Sequence, residues 1–366
     1  MSVIIVQPAV PSYRVAFFNR LAEHLGSDFR VYASRDSSLG ALNANDEAHM
    51  WQRSLPPLRS VFPGLNWQPG VLEIPMTKGD VLVVSGQPRT LSTLALLIRA
   101  RALGVRTVWW GHFWTSTSKK WRAAIRFALM GLSEAILFYT DQEVTESRAR
   151  GAIAPRKTVH ALNNGLDTKK ISAFRDAYNP QTRKRDLLFI GRLIDKAELE
   201  LLVHALAAPQ CAKVTVDIIG YGPHFPDLQR LAQNLEVAER IRWHGSIVDE
   251  EAIATIANQC KIFIYPGSVG LSLIHGFAYG LPAILHDDRW TQMPEIAAHQ
   301  PGQTGGEFEH GSAGSLANAI AGSLAQPHQL KVFSENAIET VTASYNVDDM
   351  ARRFCALVQS FEGQQK

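Results

Sequence analysis

The stretch KIFIYPGSVGLSLIHGFAYGLPAILH, residues 261–286, decides the fold expected for this chain. It opens with an apolar strand at residues 262–265 and then breaks at a Pro-Gly pair. A helix follows from Gly270, and the apolar run at residues 283–285 predicts the next strand. A strand that enters a helix through glycines leaves backbone N–H groups without partners at the helix start, where the helix dipole is positive. The stretch therefore predicts an anion site, which we interpret as the site of a nucleotide diphosphate.

Strands and helices alternate in the same way along the rest of the chain. Apolar runs with strand character lie at residues 3–6, 81–84, 106–110 and 187–190, and segments with helical periodicity separate them. This alternation is typical of an α/β fold with parallel sheets and helices on both faces. Ligands of such sheets bind at the carboxyl ends of the strands.

The length of the chain indicates two domains. Its 366 residues exceed the size at which a single hydrophobic core keeps growing. Residues 36–79 contain several prolines and no repeat, so we expect them to be irregular. Residues 182–185 are polar and the strand–helix alternation restarts after them, which indicates a linker.

The composition argues against several classes of protein. A net charge of +3 without a dense basic block does not favour a nucleic-acid partner. The cysteines Cys211, Cys260 and Cys355 have neither metal nor disulfide spacing, which indicates buried thiols in a reducing compartment. The first residues lack a basic segment and predict a core strand rather than a signal peptide. No apolar run reaches the ~18 residues of a membrane-spanning helix.

One predicted helix has a basic face beside an apolar one. Basic residues at Lys119, Lys120, Arg122 and Arg126 alternate with apolar and aromatic residues within positions 121–129. Such a helix can lie on an anionic membrane surface. An ordinary amphipathic helix with a solvated face explains the same pattern equally well, and both interpretations stay open.

Glycine turns follow three predicted strands of the second half. They lie at Gly191, at residues 220–222 and at residues 267–270. In a parallel sheet these turns fall on one edge, where glycine allows a ligand to approach the backbone closely. Arg192, next to the first turn, offers N–H donors suited to phosphate oxygens. Each turn alone is explained by local geometry, whereas three on one edge predict a ligand site.

A smaller set of polar residues ends strands of the first half. His112 follows the strand at residues 106–110, and the loop at residues 8–13 follows the first strand. Both positions are expected at the carboxyl edge of the first sheet, where they form a candidate half-site. The alternative for His112 is a structural histidine between tryptophans, and spacing alone favours that alternative slightly.

Seven motifs of the second half occur in an order and at a spacing that resemble a known family. They are LLFIGRL (187–193), VDIIGYGP (216–223), IRWHGSI (241–247), CKIFIYPG (260–267), VGLSLIHGFAYGLPAI (269–284), MPE (293–295) and GQTGGEF (302–308). Together they resemble the C-terminal domain of GT-B glycosyltransferases of family 4, the retaining group 1 enzymes. The first half resembles this family more loosely, through PSYRVAFFNRL (11–21), the Gly-His pair at 111–112 and NNGLD (163–167).

The resemblance implies a GT-B fold, in which two Rossmann-like domains face their parallel sheets across a cleft. Residues 1–170 are then the acceptor-binding domain and residues 171–345 the domain that binds the nucleotide sugar. Residues 346–366 are expected to form a C-terminal helix that crosses back to the first domain.

The resemblance also implies roles for matching positions. Arg192 and Lys196, which face the donor diphosphate, and His112, near the transferred sugar, are the expected catalytic residues. Tyr13 and Arg14 are expected to bind the acceptor, and no metal ligand is implied. The expected donor-binding residues are Gly191, Gly220, Tyr221, Gly222, Ser246, Ile247, Gly267, Gly270, Leu271, Ser272 and His275.

Three positions depart from the family pattern. The glutamates of its Glu-x7-Glu pair, which contact the sugar ring and the ribose, are replaced by Gly267 and His275. A histidine can still hydrogen-bond a ribose hydroxyl. The family lysine that accompanies Arg192 falls at Ala197, with Lys196 one residue earlier. The flexible stem of Lys196 could reach from this neighbouring position, although on a helix its direction would differ from that of residue 197 by about 100°.

The function implied is that of a metal-independent retaining hexosyl- or deoxyhexosyltransferase with no cofactor. Its donor is a UDP-, GDP- or dTDP-sugar, and its acceptor is an oligosaccharide or a lipid-linked saccharide. We expect a cytoplasmic enzyme of bacterial surface polysaccharide synthesis, associated with the inner face of the cytoplasmic membrane if the basic helix binds lipid. Two alternatives stay open: a GT-B epimerase or phosphorylase, and a degenerate GT-B protein that only binds its ligand, as the absent glutamates suggest.

Overall fold

The computed structural model describes residues 1–35, 49–114 and 120–362 of the chain. The chain divides into two compact units. Unit 1 comprises Met1–Leu166 and Val347–Lys366, and unit 2 comprises Asp167–Asn346. The chain therefore leaves unit 1 well before the polar segment at residues 182–185. That segment is not a linker, because Arg183 and Arg185 are buried in unit 2.

Unit 1 is built on a sheet of seven strands that pair in parallel, in the order β3-β2-β1-β6-β7-β8-β9. The strands are β1 (Val3–Ala9), β2 (Phe29–Ser34), β3 (Gln52–Leu55), β6 (Val81–Ser85), β7 (Arg106–Trp110), β8 (Ala135–Phe138) and β9 (Thr158–Ala161). A two-stranded antiparallel hairpin of β4 (Arg59–Phe62) and β5 (Leu65–Trp67) lies outside this sheet.

Both faces of this sheet are covered, as its continuous apolar strands require. Alternate residues of β1 enter two different cores: Val3 and Ile5 belong to one, and Ile4 and Val6 to the other. All four residues of β8 are buried. This double burial explains why the central strands read as unbroken apolar runs rather than as alternating patterns.

Among the described residues, five helices cover the faces of the first sheet. They are α1 (Ser12–Leu25), α2 (Leu91–Ala102), α3 (Lys120–Gly131), α4 (Asp141–Ala149) and the terminal α12 (Val347–Glu362). The last helix returns the chain to unit 1, where Phe354 lies edge-to-face with Phe17 of α1 at 6.1 Å. The Val347 N–H donates to the Leu166 carbonyl at 3.1 Å. The residue at which the chain leaves unit 1 is therefore hydrogen-bonded to the residue at which it returns.

Unit 2 repeats the architecture with six parallel strands in the order β12-β11-β10-β13-β14-β15. Its strands are β10 (Arg185–Ile190), β11 (Val216–Ile219), β12 (Ile241–Gly245), β13 (Cys260–Tyr265), β14 (Ala283–His286) and β15 (Gly305–Phe308). Its helices are α5 (Thr168–Ser172), α6 (Leu199–Leu206), α7 (Phe225–Asn234), α8 (Glu250–Ala257), α9 (Leu271–Ala278), α10 (Ala313–Leu324) and α11 (Pro327–Ala343). Among the described residues, no helix is both long and apolar enough to cross a membrane.

The expectation of an irregular segment at residues 36–79 is wrong for part of that range. Three short strands, β3, β4 and β5, lie within it, and β3 extends the main sheet beside β2. Strands of three or four residues with exposed positions bury too little apolar surface to leave a periodic signal in the sequence.

Candidate functional site

Four neighbouring strands of unit 2 end in the turns predicted to bind a ligand. The order β12-β11-β10-β13 places these turns side by side, which confirms the predicted shared edge. The turns are also bonded to one another. The Gly191 N–H donates to the Ile219 carbonyl at 3.0 Å, and the Gly220 N–H donates to the Gly245 carbonyl at 2.7 Å.

Two of the predicted donor-binding glycines are required by contacts between these turns. A Cβ atom on Gly220 would overlap the carbonyl oxygen of Gly191, and Gly220 has a φ of 147°. A Cβ atom on Gly222 would overlap the carbonyl oxygen of Leu193. These glycines therefore allow backbone to meet backbone inside the protein, and they do not by themselves indicate a ligand. The side chain of Tyr221, between them, is exposed.

The start of α9 offers backbone N–H groups to an anion, and the carboxylate oxygen Oε2 of Glu295 is 3.8 Å from where a Cβ atom on Gly270 would lie. Gly270 precedes the helix without a side-chain cap, and no acidic residue occupies the first turn. A Cβ atom on Gly270 would meet nothing closer than 3.8 Å, so this glycine is not packed against neighbouring backbone. Within the described residues, no side chain caps the N–H groups of Leu271 and Ser272. Such N–H groups, together with the helix dipole, attract phosphate.

Arg192 and Lys196 add positive charge at the same edge. Both side chains are exposed, and neither forms an ion pair or hydrogen bond with any residue that the structure describes. Arg192 follows β10 and acts electrostatically on Tyr265 of the neighbouring β13. Burial raises the pKa of Tyr265 to about 12, and the charge of Arg192 opposes that rise. The two cations are thus available to a ligand.

Lys196 does not lie on a continuous helix with the residues after it. Asp195–Ala197 form a 3-10 turn, and Glu198 has a left-handed backbone with φ 49° before α6 begins. This turn docks on the stretch after β13. The Gly267 N–H donates to the Ala197 carbonyl at 3.1 Å, and the Ser268 N–H donates to the Lys196 carbonyl at 2.9 Å. The angular argument about neighbouring helical side chains therefore does not apply to Lys196.

The left-handed Glu198 is held by His310, which follows β15. The His310 Nε2 lies 3.1 Å from both carboxylate oxygens of Glu198, and its Nδ1 lies 3.7 Å from Asp288. The ring of His286, at the end of β14, stacks on His310 at 4.1 Å. His286 is buried, and neither of its ring nitrogens has a hydrogen-bond partner among the described residues. Burial, aided by His310, lowers the pKa of His286 to about 4.

His275 is engaged by a carboxylate that the sequence did not single out. Its Nε2 lies 2.8 Å from Oε1 of Glu250, the first residue of α8, and the Tyr279 hydroxyl donates to the same oxygen at 2.5 Å. Burial disfavours ionisation of Glu250, but the hydrogen bonds from His275 and Tyr279 hold the pKa of this carboxyl below its ordinary value. Its Oε2 accepts no hydrogen bond from a described residue. The carboxylate of Glu250 therefore lies beside position 275, although Glu250 belongs to α8 and position 275 to α9.

Ser246 and Ile247 lie in the loop between β12 and α8. Ser246 is exposed and Ile247 partly exposed. The loop ends at Asp249, whose carboxylate caps α8 by accepting from the Ala252 N–H at 2.9 Å. Because Glu250 follows directly, it is a neighbour of the expected nucleobase turn along the chain.

In unit 1 the structure brings together the three predicted residues Tyr13, Arg14 and His112. The guanidinium carbon of Arg14 lies 5.4 Å from the ring centre of Tyr13 and 5.6 Å from that of Tyr139. The ring of His112 lies 4.3 Å from the same Tyr139. Tyr139 follows β8 and His112 follows β7, so this aromatic group marks the carboxyl edge of the first sheet.

The basic helix α3 is partly buried in unit 1. Arg126 is buried, and burial lowers the pKa of its guanidinium, which the charge of Glu143 partly restores. Phe127 and Leu129 pack against the core of unit 1, whereas Ile125 is exposed. Lys119 lies outside the described residues. The described part of the helix therefore fits the interpretation of an ordinary amphipathic helix whose apolar residues pack on the protein core.

The residues missed by the sequence reasoning share one property: their partners are far away in the chain. Glu250 meets His275 across 25 positions, and Glu198 meets His310 across 112. No spacing rule links such pairs. The one available signal was the location of Glu250 directly after the motif IRWHGSI and the short loop that follows it.

The family model described as "Glycosyl transferases group 1" matches residues 170–340, which lie entirely in unit 2. Among the described residues, no group of three or more His, Cys, Asp or Glu side chains is placed to hold a metal ion.

The curated relatives that match are glycosyltransferases. The chain is 28% identical over 229 residues to a D-inositol 3-phosphate glycosyltransferase of Catenulispora acidiphila, covering 57% of this chain and 52% of the relative. It is 26% identical over 208 residues to a GDP-mannose-dependent alpha-(1-6)-phosphatidylinositol monomannoside mannosyltransferase of Mycolicibacterium smegmatis, covering 50% and 52%. The matched regions span about half the length of these relatives.

Solved structures resemble the whole chain. Sucrose-phosphate synthase of Thermosynechococcus elongatus superposes with a TM-score of 0.74 at 16% identity, covering all of both chains. Anabaena Alr3699/HepE in complex with UDP superposes with a TM-score of 0.72 at 15% identity, covering 98% of this chain and 100% of the other. At such identities the likeness shows the fold alone. The chain thus has the fold of GT-B glycosyltransferases, and its residues 170–340 match the family model of group 1 glycosyl transferases.

Proposed function

We propose that this protein is a retaining glycosyltransferase that uses a nucleoside diphosphate sugar as donor. The observation that carries the proposal is the uncapped start of α9, with the exposed and unpaired Arg192 and Lys196 at the same sheet edge. The family match of residues 170–340 supports it. Anabaena Alr3699/HepE, which has the same fold, has been solved in complex with UDP-glucose, and this supports a UDP-sugar, while GDP- and dTDP-sugars stay candidates.

The proposed chemistry follows from charge at the leaving group. The bond between the anomeric carbon and the oxygen of the β-phosphate breaks, and the acceptor hydroxyl forms the new bond on the same face of the sugar. The proton of that hydroxyl passes to the departing diphosphate. N–H groups at Gly270, Leu271 and Ser272 and the cations Arg192 and Lys196 stabilise the negative charge that develops there. These groups supply the stabilisation without a metal ion.

The remaining residues are assigned to the two substrates. In the donor site, Gly191, Gly220, Tyr221, Gly222 and Gly267 line the turns, Ser246 and Ile247 flank the nucleobase, and His275 with Glu250 contacts the ribose. In unit 1, Tyr13 and Arg14 contact the acceptor, and His112 acts near the transferred sugar. Unit 2 is thus the donor domain and unit 1 the acceptor domain.

We place the reaction in the cytoplasm, in the synthesis of a bacterial surface polysaccharide on a glycan or lipid-linked acceptor. The unpaired thiols Cys211, Cys260 and Cys355 support a reducing compartment, although Cys355 is only partly buried. One relative is a phosphatidylinositol monomannoside mannosyltransferase, which supports a lipid-linked substrate. Contact with the membrane stays a hypothesis, and it is weakened because Arg126 is buried.

The absent side chain at Gly267 also favours a second candidate, a GT-B protein that binds a nucleotide sugar without transferring it. An assay of the purified full chain with UDP-, GDP-, dTDP- and ADP-sugars separates the candidates. Release of nucleoside diphosphate and a product with the donor's anomeric configuration by NMR, unchanged by EDTA, is expected for the transferase. Interconversion of the donor sugar without acceptor would instead indicate an epimerase. Tight binding without turnover, with Arg192→Ala changing affinity alone, would indicate the binding protein.

A further inference from the structure

Arg14, in the first turn of α1, is a buried cation without an anionic partner. Its residue exposure is 5%, and it forms no ion pair or hydrogen bond through its side chain with any residue that the structure describes. The Nη1 nitrogen is fully buried and has no acceptor. Burying a charge in this way is costly unless a counter-charge arrives. The arrangement therefore fits a guanidinium that awaits an anionic ligand.

The surroundings of Arg14 add a second unsatisfied donor. The guanidinium carbon lies 4.6 Å from the ring centre of Trp110, at the end of β7. Trp110 is 2% exposed, and its indole N–H is buried without an acceptor among the described residues. The aromatic ring stabilises the cation through its face, but it supplies no hydrogen-bond acceptor. Two buried donors that lack acceptors thus lie in one cluster.

The nearby carboxylates at this sheet edge are already engaged. Glu143 accepts hydrogen bonds from the N–H groups of Phe113 at 2.8 Å, Tyr139 at 3.0 Å and Thr140 at 3.2 Å. Asp141 forms an ion pair with Arg353 at 3.0 Å. Neither acid pairs with Arg14. Arg14 is therefore left without a carboxylate partner among the described residues.

We propose that Arg14 and Trp110 form a binding subsite for a phosphate group of a substrate. The start of α1 contributes, because it has no side-chain cap and no acidic residue in its first turn. A guanidinium recognises phosphate through its planar fork of donors, and the indole N–H adds one directional bond. The proposal rests on the proposed transferase function and adds that this subsite in unit 1 takes a phosphate oxyanion.

The phosphate has two candidate sources, which are the diphosphate of the donor and a phosphate carried by the acceptor. Binding to the full chain is measured by titration calorimetry with glycerol 3-phosphate, inorganic phosphate and UDP, with glycerol as the uncharged control. The two simple phosphates are tested in an Arg192→Ala background, which weakens the phosphate site of unit 2. UDP is tested with Arg192 intact.

Arg14→Gln is expected to raise the Kd for glycerol 3-phosphate by about 10- to 100-fold, because hydrogen bonds to a charged group are lost. Arg14→Lys keeps the charge and is expected to raise this Kd less than Arg14→Gln does. Trp110→Phe keeps an aromatic ring but removes the N–H, and it is expected to raise the Kd for glycerol 3-phosphate about 5-fold. Arg101→Gln removes an exposed arginine of the same unit and serves as the matched control, with no change expected.

An equal loss of UDP affinity in Arg14→Gln assigns the phosphate to the donor, and intact UDP affinity assigns it to the acceptor. The proposal is overturned if no phosphate probe binds saturably, or if Arg14→Gln binds as tightly as the control. If Arg14→Gln does not fold, the Lys and Phe variants decide by the same criterion. Sugar transfer that depends on Arg192 but not on Arg14 would leave the proposed function standing and remove only this subsite.

Discussion

The carbonyl oxygen of Lys196 lies where a side chain on Gly267 would have to begin. The Ser268 N–H donates to this oxygen at 2.9 Å, and a Cβ atom on Gly267 would overlap it. The two departures from the family pattern at these positions are therefore one structural feature. The turn that carries Lys196 packs on the position where related enzymes have a glutamate, so neither change is independent of the other.

Gly267→Ala tests this coupling. The added methyl group must displace the turn Asp195–Ala197, and we expect a loss of about 1–3 kcal/mol in the free energy of unfolding, as for other overpacked sites. Displacement of the turn should also raise the KM for the donor. Urea denaturation and donor kinetics measure the two effects.

Gly270→Ala is the matched control for the steric argument. A Cβ atom there meets its nearest neighbours at 3.8 Å or more, and the backbone φ of −118° lies outside the left-handed region that favours glycine. We expect its free energy of unfolding to change by less than about 1 kcal/mol. Equal stability of the two alanine variants would show that the Lys196 turn does not press on position 267.

The charges of Arg192 and Lys196 should matter for the chemical step. Arg192→Gln is expected to lower kcat by about 10²- to 10³-fold, as for other groups that stabilise developing negative charge. Lys196→Gln should lower kcat as well if its side chain reaches the diphosphate. Lys213→Gln, at another exposed lysine of unit 2, is the control and should leave kcat unchanged. A change confined to KM would contradict a role in the transition state.

The fold was largely predictable because its signals are local. A continuous apolar run such as that of β6 or β8 indicates a strand buried on both faces, and a glycine turn indicates where a strand ends. The short edge strand β3 was not predictable, since two of its four residues are exposed. The buried arginines at 183 and 185 have the sequence pattern of a polar linker, because burial of a charge depends on distant partners that the local sequence does not show. Arg185 pairs with Asp217, and Arg183 donates to the Cys260 carbonyl at 2.6 Å.

The candidate site was predictable only in outline. The uncapped helix start at Gly270 could be read from its own residues, whereas the Glu250–His275 pair could not, because it joins two helices. The structure also gives three of the predicted donor-binding glycines a role in packing. Gly220, Gly222 and Gly267 permit contacts between backbone segments of the protein, which sequence cannot distinguish from close approach of a ligand.

His112 is predicted to act on the reaction rather than on structure. His112→Ala should lower kcat more than it changes KM if the imidazole acts in the transition state. His112→Phe keeps a ring beside Tyr139, 4.3 Å away, and separates stacking from hydrogen bonding. Steady-state kinetics of both variants give the answer. Full activity of the Phe variant would assign His112 to packing.

The Glu250–His275 pair is predicted to bind the donor ribose. Glu250→Gln and His275→Ala should each raise the donor KM by about 5-fold, the value of one hydrogen bond of about 1 kcal/mol, with kcat nearly unchanged. Because His275 Nε2 already faces Glu250, the free Oε2 of Glu250 is the better acceptor for a hydroxyl. Donors with 2′-deoxyribose supply the second measurement. Their KM should be insensitive to Glu250→Gln if Oε2 binds the 2′-hydroxyl, and an undiminished effect would exclude that contact.

The buried histidines His286 and His299 predict a loss of stability in mild acid. Burial lowers the pKa of each from 6.5 to about 4. Between these two pH values the histidines are therefore protonated in the unfolded chain and neutral in the folded protein. The unfolded state then binds more protons between pH 6.5 and about 4, and the free energy of unfolding falls as pH falls through this window. Each histidine contributes at most about 3 kcal/mol to this fall in the free energy of unfolding.

His286→Phe isolates one of these contributions. The phenyl ring can keep the stack on His310 and the edge contact with Phe308, but it cannot take up a proton. Urea denaturation from pH 7 to pH 4 should show a shallower pH dependence for this variant than for the parent. The exposed His328 gives the matched control, because His328→Phe removes a histidine that is accessible in both states. A pH dependence that is the same in the parent and in His286→Phe would mean that His286 takes up its proton in the folded protein as readily as in the unfolded chain.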